Sequence, residues 1–166
     1  LEFRRVLFRS GEVDPLAEEQ FSPVPGIVHR YPDRCLLIAT NSCALYCRYC
    51  TRKRLMEEDL APAARQELDA MVNYVASTPA IRDVVISGGD PLTWSTARLV
   101  ELLDRLAAIP HLEIIRIGSR VPVTMPQRIT TELSAALGAY SALWINTHFN
   151  HPREVTDRKS TRLNSS

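Results

Sequence analysis

Four short apolar runs, partly β-branched, recur along the chain: residues 35–40 (CLLIAT), 84–87 (VVIS), 114–117 (IIRI) and 143–146 (LWIN). Each has the length and continuity of a strand buried on both faces, as in a parallel sheet. Helical periodicity fills the intervals. Residues 62–77 place Ala64, Leu68, Met71, Val72 and Val75 on one stripe, and Pro62 suits a first turn. Residues 95–109 do the same with Leu99, Leu102, Leu103 and Leu106, and Pro110 stops the pattern. Residues 130–140 repeat it more briefly with Leu133 and Leu137. Ahead of the first run lies a stretch with Pro15, Pro23, Pro25 and Pro32, which argues against a regular helix or a central strand.

The resulting order, β-α-β-α-β-α-β, predicts an α/β fold built from right-handed βαβ units. Such units make either an open doubly wound sheet or a barrel. Four strands cannot close a barrel of eight, so the sheet is open or the chain is a piece of something longer.

Composition narrows the class. The chain has 166 residues, 45% hydrophobic and 23% charged, enough apolar residues for a core. No run approaches the roughly 20 apolar residues of a membrane span, and Arg4, Arg5 and Arg9 interrupt the one candidate leader. The expectation is a cytoplasmic protein without membrane or nucleic-acid partners. Its net charge of +1 is unevenly placed. Residues 1–10 and 157–166 carry six basic and two acidic residues, leaving 14 basic and 17 acidic for 11–156, a net of −3. Both ends read as non-native or disordered. The expected organisation is an extended Pro-rich lead-in at 11–33 and an α/β domain at 34–156.

Three of the four cysteines fall within eight residues, Cys43, Cys47 and Cys50 in a C-x3-C-x2-C directly after the first predicted strand. Parallel α/β proteins place their chemistry at that end. Three thiolates cannot form paired disulfides without one left over. Zinc prefers four ligands in paired motifs, and no second pair exists. On a four-iron cluster, three thiolates leave one iron open to a substrate. Three incidental loop cysteines, or a metal-stabilised binding module, are the plainer alternatives. Cys35 lies within an apolar strand pattern and reads as a small buried hydrophobe.

A second constellation, Ser87-Gly88-Gly89-Asp90, ends the second strand. Its glycines allow close backbone approach to a ligand and its carboxylate can meet an ammonium. A tight strand-to-helix turn with Asp90 near a helix start is the alternative. Arg30, Arg34, Arg48, Arg52, Lys53 and Arg54 share a 25-residue window whose only acid is Asp33. The remainder of residues 11–156 is then net −8 and offers no aromatic platform for bases. A concentrated site for carboxylate or phosphate fits better than nucleic acid, a solvated face being the bland alternative.

The cysteine spacing, with Tyr49 before the last Cys, resembles the radical S-adenosylmethionine (SAM) superfamily. SPVPGIVHRYPDR, CRYCTRKR, SGGDPL, IPHLEIIRIGSRVPVTMPQRIT and NTHFNHP together resemble the lysine 2,3-aminomutase family within it, from about residue 14 to 156. The resemblance implies a partial (β/α) barrel, truncated after about four βα units, with a [4Fe-4S] cluster, SAM and pyridoxal 5'-phosphate (PLP) as cofactors. It implies a 5′-deoxyadenosyl radical that drives the migration of an amino group between neighbouring carbons of an amino acid. Residue by residue, it gives Cys43, Cys47 and Cys50 to the cluster. Gly88, Gly89, Asp90, Asn146 and His148 go to SAM, with Tyr49 near the adenine. Arg30 and Arg34 go to the PLP phosphate and Arg52 to the substrate carboxylate. For His148 a histidine satisfied by local hydrogen bonds is the plain alternative.

The PLP lysine is missing. Lys53 and Lys159 are the chain's two lysines, and neither matches the family's position. The resemblance therefore implies the N-terminal half of a catalytic domain, not competent for turnover alone. Residues 143–149 would form an unpaired apolar edge. It further implies a small amino-acid substrate, an external electron donor such as a flavodoxin or ferredoxin, and a homo-oligomeric full-length protein. Glutamate- or arginine-specific aminomutases, and the relative that modifies a lysine destined for elongation factor P, are the neighbouring alternatives.

Overall fold

The computed structural model describes residues 14–56 and 65–155. Expectations for both chain ends, and for Pro62 and Ala64, lie outside the described residues. Five strands form one sheet: β1 (Ile27–Tyr31), β2 (Arg34–Thr40), β3 (Asp83–Gly88), β4 (Ile114–Gly118) and β5 (Leu143–Asn146). Their spatial order is their chain order, β1 antiparallel to β2 and every later pair parallel. That order decides between the two α/β architectures. A doubly wound sheet reverses direction at a switch point; here the strands advance one way, as in a barrel wall.

Three helices return the chain between parallel strands: α1 (Arg65–Ala76), α2 (Thr96–Ala107) and, after the single turn α3 (Val121–Thr124), α4 (Thr131–Gly138). Ser95 Oγ accepts from Arg98 N at 3.4 Å to cap α2, and Thr130 Oγ1 accepts from Leu133 N at 3.1 Å to cap α4.

The two faces of the sheet differ. Cys35, Leu37 and Ala39 of β2, Val84 and Ile86 of β3, and Ile115 and Ile117 of β4 are buried in one core with Leu68, Met71, Val72, Val75, Leu99, Leu102, Leu103 and Leu106 of the helices. The alternate positions form the opposite face, where the register aligns Leu36, Val85, Arg116 and Trp144 in one row across β2 to β5. Residues on that face are half-buried or exposed, except Thr40 at the end of β2 and, in β3, Asp83. The Asp83 side chain is buried between Arg34 (2.6 Å) and Arg116 (2.7 Å) on neighbouring strands. At the far edge, Trp144 of β5 is 63% exposed.

The lead-in departs from its expected extended form. It contains a 3-10 turn, Glu18–Phe21, and then β1. β1 lies at the edge of the sheet, pairing among the described residues with β2 alone. No helix among the described residues is long and apolar enough to cross a membrane.

Candidate active site

The chemistry-bearing segments meet at the carboxyl ends of the parallel strands. The cysteine loop leaves the end of β2, the Gly-Gly-Asp turn ends β3, Ser119 and Arg120 follow β4, and residues 147–155 follow β5. Gly88 has φ +108°, a left-handed value that favours glycine. A Cβ on Gly89 would stand 2.3 Å from Ser42 O and 2.7 Å from Ser42 N. Gly89 N donates to Thr40 O, and Asp90 N donates to Ser42 O at 2.8 Å. The glycines thus let the end of β3 lie against the backbone that leads into Cys43.

Asp90 is 6% exposed. Its Oδ1 accepts from Ser119 Oγ (2.6 Å) and Leu92 N (3.2 Å), and its Oδ2 from Arg120 N (2.7 Å) and Val121 N (3.1 Å). Those bonds fill the roughly four lone-pair positions of a carboxylate. The sequence reading gives this carboxylate to a ligand ammonium. In the structure four protein donors already hold it, and an ammonium would have to displace one. Asp90 caps the 3-10 turn that follows it and staples the end of β3 to the end of β4. The turn reading therefore applies.

Cys43, Cys47 and Cys50 are half-buried free thiols. Burial, then the proximity of Asp90 and the other two thiols, pushes the Cys43 thiol up to about 12. Arg120 NH1 donates to Cys47 Sγ at 3.2 Å, while its NH2 meets Glu154 at 3.2 Å and its Nε donates to the His148 carbonyl at 3.3 Å. Burial opposes the Arg120 charge, but Cys47, Tyr49 and Glu154 outweigh it and raise its pKa.

Among the described residues no three His, Cys, Asp or Glu side chains converge on a point that would hold a single ion. A four-iron cluster makes no such demand, because each thiolate meets a different iron. Three unpaired thiols on one short loop, with a guanidinium against one sulfur, suit that group. Metal binding would supply the deprotonation that burial opposes at Cys43.

Tyr49 and His148, 99 residues apart in the chain, lie against each other. Tyr49 Oη lies 3.1 Å from His148 Nδ1 and 2.8 Å from the Asn150 amide, with ring centroids 5.5 Å apart. The exposed side chain of Asn146 ends β5, and its carbonyl accepts from Ser119 N at 3.0 Å. This tyrosine ties the cysteine loop to the segment after β5.

The basic window is not the unopposed patch it looks in sequence. Arg52 forms a two-nitrogen pair with Glu18, NH2 to Oε1 at 2.6 Å and Nε to Oε2 at 3.2 Å. Arg54 meets Glu18 (3.3 Å), Asp14 (3.2 Å) and Glu19 (3.5 Å). Arg34 pairs with Asp83, and Arg30 lies over the Phe21 ring at 5.3 Å and donates to Leu16 O at 3.4 Å. The Nζ of Lys53 donates to Arg48 O, a local loop contact. Arg30, Arg34 and Arg52 nevertheless line a single cavity of about 260 Å³, with Glu18, Val28, Leu36 and Val85. Val28, Leu36 and Val85 belong to the sheet face away from the helices. The three arginines assigned to anion binding thus share one space.

Sequence reasoning missed Glu18, Asp83, Ser119, Arg120 and Glu154. Ser119 and Arg120 sit inside a stretch the family resemblance quotes, so that stretch was their signal. Glu18 had none, since it stands 34 residues from Arg52.

Comparison with known proteins agrees with the geometry. The chain is 52% identical over 148 residues to L-lysine 2,3-aminomutase of Acetoanaerobium sticklandii, covering 89% of this chain and 36% of that protein. It is 54% identical over 146 residues to L-lysine 2,3-aminomutase of Fusobacterium nucleatum, covering 87% and 34%. Against glutamate 2,3-aminomutase of Clostridioides difficile it is 42% identical over 145 residues, covering 87% and 34%. The chain thus spans about a third of the length of the curated relatives it matches. The profile of the Radical SAM superfamily matches residues 37–163, from mid-β2 past the segment that carries His148 and Glu154, and the chain belongs to that superfamily.

Proposed function

We propose that this chain is the cluster- and SAM-binding part of an amino-acid 2,3-aminomutase that acts on L-lysine and also uses PLP. One observation carries the reading: the three-cysteine loop, the Gly-Gly-Asp turn and the Tyr49–His148 pair gather at one end of a parallel sheet. Higher identity to proteins named for lysine than to the one named for glutamate supports the substrate. When bound, the cluster and SAM supply a 5′-deoxyadenosyl radical, and PLP holds the migrating amino group.

The residues have distinct duties in this reading. Cys43, Cys47 and Cys50 hold the cluster. Gly88 and Gly89 present backbone to SAM, and Asp90 fixes the turn that carries them. Tyr49, Asn146 and His148 bound the SAM site on the β5 side. In the cavity, Arg30 and Arg34 take the PLP phosphate, and Asp83 orients the Arg34 fork. Arg52 takes the substrate carboxylate, as its planar guanidinium suits. Lys53 is committed to its own loop, so the lysine that bears PLP is proposed to lie in the part of the relatives this chain does not cover. An external one-electron donor completes the system.

The test uses the full-length protein, reconstituted anaerobically with iron and sulfide and supplied with SAM, PLP and dithionite. L-lysine, L-glutamate and L-arginine are offered in competition. Formation of the 3-amino isomer of lysine in excess supports the reading. A reduced, SAM-responsive protein that isomerises none of the three overturns it.

A further inference from the structure

Glu18 is a carboxylate 5% exposed, on a turn that the sequence marks only as lead-in. Burying such a charge is costly unless it is paired. Its partners are Arg52 and Arg54, two residues of one short segment after the cysteines. The Arg52 contact engages Nε and one terminal nitrogen, a two-point grip that fixes the plane of the guanidinium. Both Glu18 and Arg52 line the cavity that also holds Arg30 and Arg34. A guanidinium gripped along that edge turns its remaining donors to one side.

We propose that Glu18 is the positioning residue that aims Arg52 at the substrate's carboxylate, so that the lead-in turn is part of the substrate site. This rests on the assignment of Arg52 given above. Without Glu18 the arginine keeps its charge but loses its orientation, and the ordering cost falls on the substrate.

Arg54 supplies the control. It holds the same turn through Glu18 and Asp14 but does not contact Arg52 in this network. Glu18→Gln and Arg54→Gln should therefore lower the unfolding midpoint alike, and only the first should change recognition of the carboxylate.

The experiment measures equilibrium binding of L-lysine and of L-lysinamide to the full-length holoenzyme with SAM and no reductant. L-lysinamide keeps the side chain and α-amino group and replaces the carboxylate by a neutral amide. In Glu18→Gln the preference for L-lysine over L-lysinamide should shrink by about tenfold or more, the loss of one charge-assisted contact. In Arg54→Gln the preference should stay at the wild-type value. An equal loss in both variants, or a Glu18→Gln variant that weakens both ligands alike, would show a turn that merely docks the lead-in and would overturn the proposal.

Arg52→Lys separates this idea from its foundation. If Arg52→Lys leaves the preference unchanged, the assignment of Arg52 fails. If Arg52→Lys abolishes the preference while Glu18→Gln keeps it, only the role of Glu18 fails. Should Glu18→Gln not fold, Glu18→Asp, whose shorter carboxylate cannot reach both nitrogens, is read in the same way.

Discussion

Replacing Asp90 by Asn tests how the ends of β3 and β4 are held together. The substitution keeps shape and one oxygen but puts an NH2 where Oδ2 now accepts from Arg120 N and Val121 N. With the amide oxygen left on Ser119 and Leu92, Arg120 N loses its acceptor and faces another donor, while Val121 N keeps Ser119 Oγ at 3.0 Å. One unsatisfied backbone donor costs about 1–3 kcal/mol. Flipping the amide exchanges one loss for another, because Leu92 N then loses its acceptor. Equilibrium urea unfolding followed by circular dichroism reads the change, with SAM affinity measured in parallel. A lower midpoint at unchanged slope is expected, with SAM affinity falling only as the turn loosens. A variant within about 1 kcal/mol of wild type that has lost SAM binding would refute the reasoning, because the carboxylate would then be a ligand and not a staple.

Other outcomes follow from the same structure. Gly89→Ala forces a Cβ into the Ser42 backbone, so iron and sulfide uptake by the cysteine loop should drop; full uptake on reconstitution would show that the close approach is dispensable. Leu103→Ala, at a fully buried α2 position, should cost about 2–5 kcal/mol by urea unfolding, and a loss under about 1 kcal/mol would contradict the packing described. Cys35 has its thiol pushed up to about 12 by burial and then by Asp83. Its folded value is raised, so its stabilising contribution is full below the unfolded thiol's value of about 8.5 and fades as pH climbs toward the folded one. Iodoacetamide at pH 8 on metal-free protein should label the half-buried Cys47 and Cys50 before the buried Cys35, read by peptide mass; early labelling of Cys35 would contradict its place in the core.

The strands at 35–40, 84–87, 114–117 and 143–146 were legible as short apolar runs, but the expected burial on both faces is not found: β2, β3 and β4 bury one face against the helices, and β5 has no buried residue. The helices were legible from the stripe that each lays on the sheet. β1 was not, since its IVHRY pattern follows two prolines and mixes polar with apolar positions. Its strand character comes from pairing with β2, a long-range fact. The cysteines and the Gly-Gly-Asp turn were readable because their chemistry depends on local spacing. What spacing cannot show is who neutralises whom. Arg52 and Arg54 look like an open anion site until folding brings Glu18 and Asp14 against them. Asp90 looks like a free carboxylate until β4 delivers Ser119, Arg120 and Val121. In both places the partners were hidden by chain separation.

The central claim is that the loop of Cys43, Cys47 and Cys50 holds a four-iron cluster with one iron left for SAM. Anaerobic reconstitution followed by electron paramagnetic resonance of the dithionite-reduced protein, with and without SAM, tests it most directly. The account predicts a reduced-cluster signal whose shape changes when SAM is added, and its loss in Cys47→Ala. A colourless protein carrying stoichiometric zinc, or a cluster signal indifferent to SAM, would contradict it.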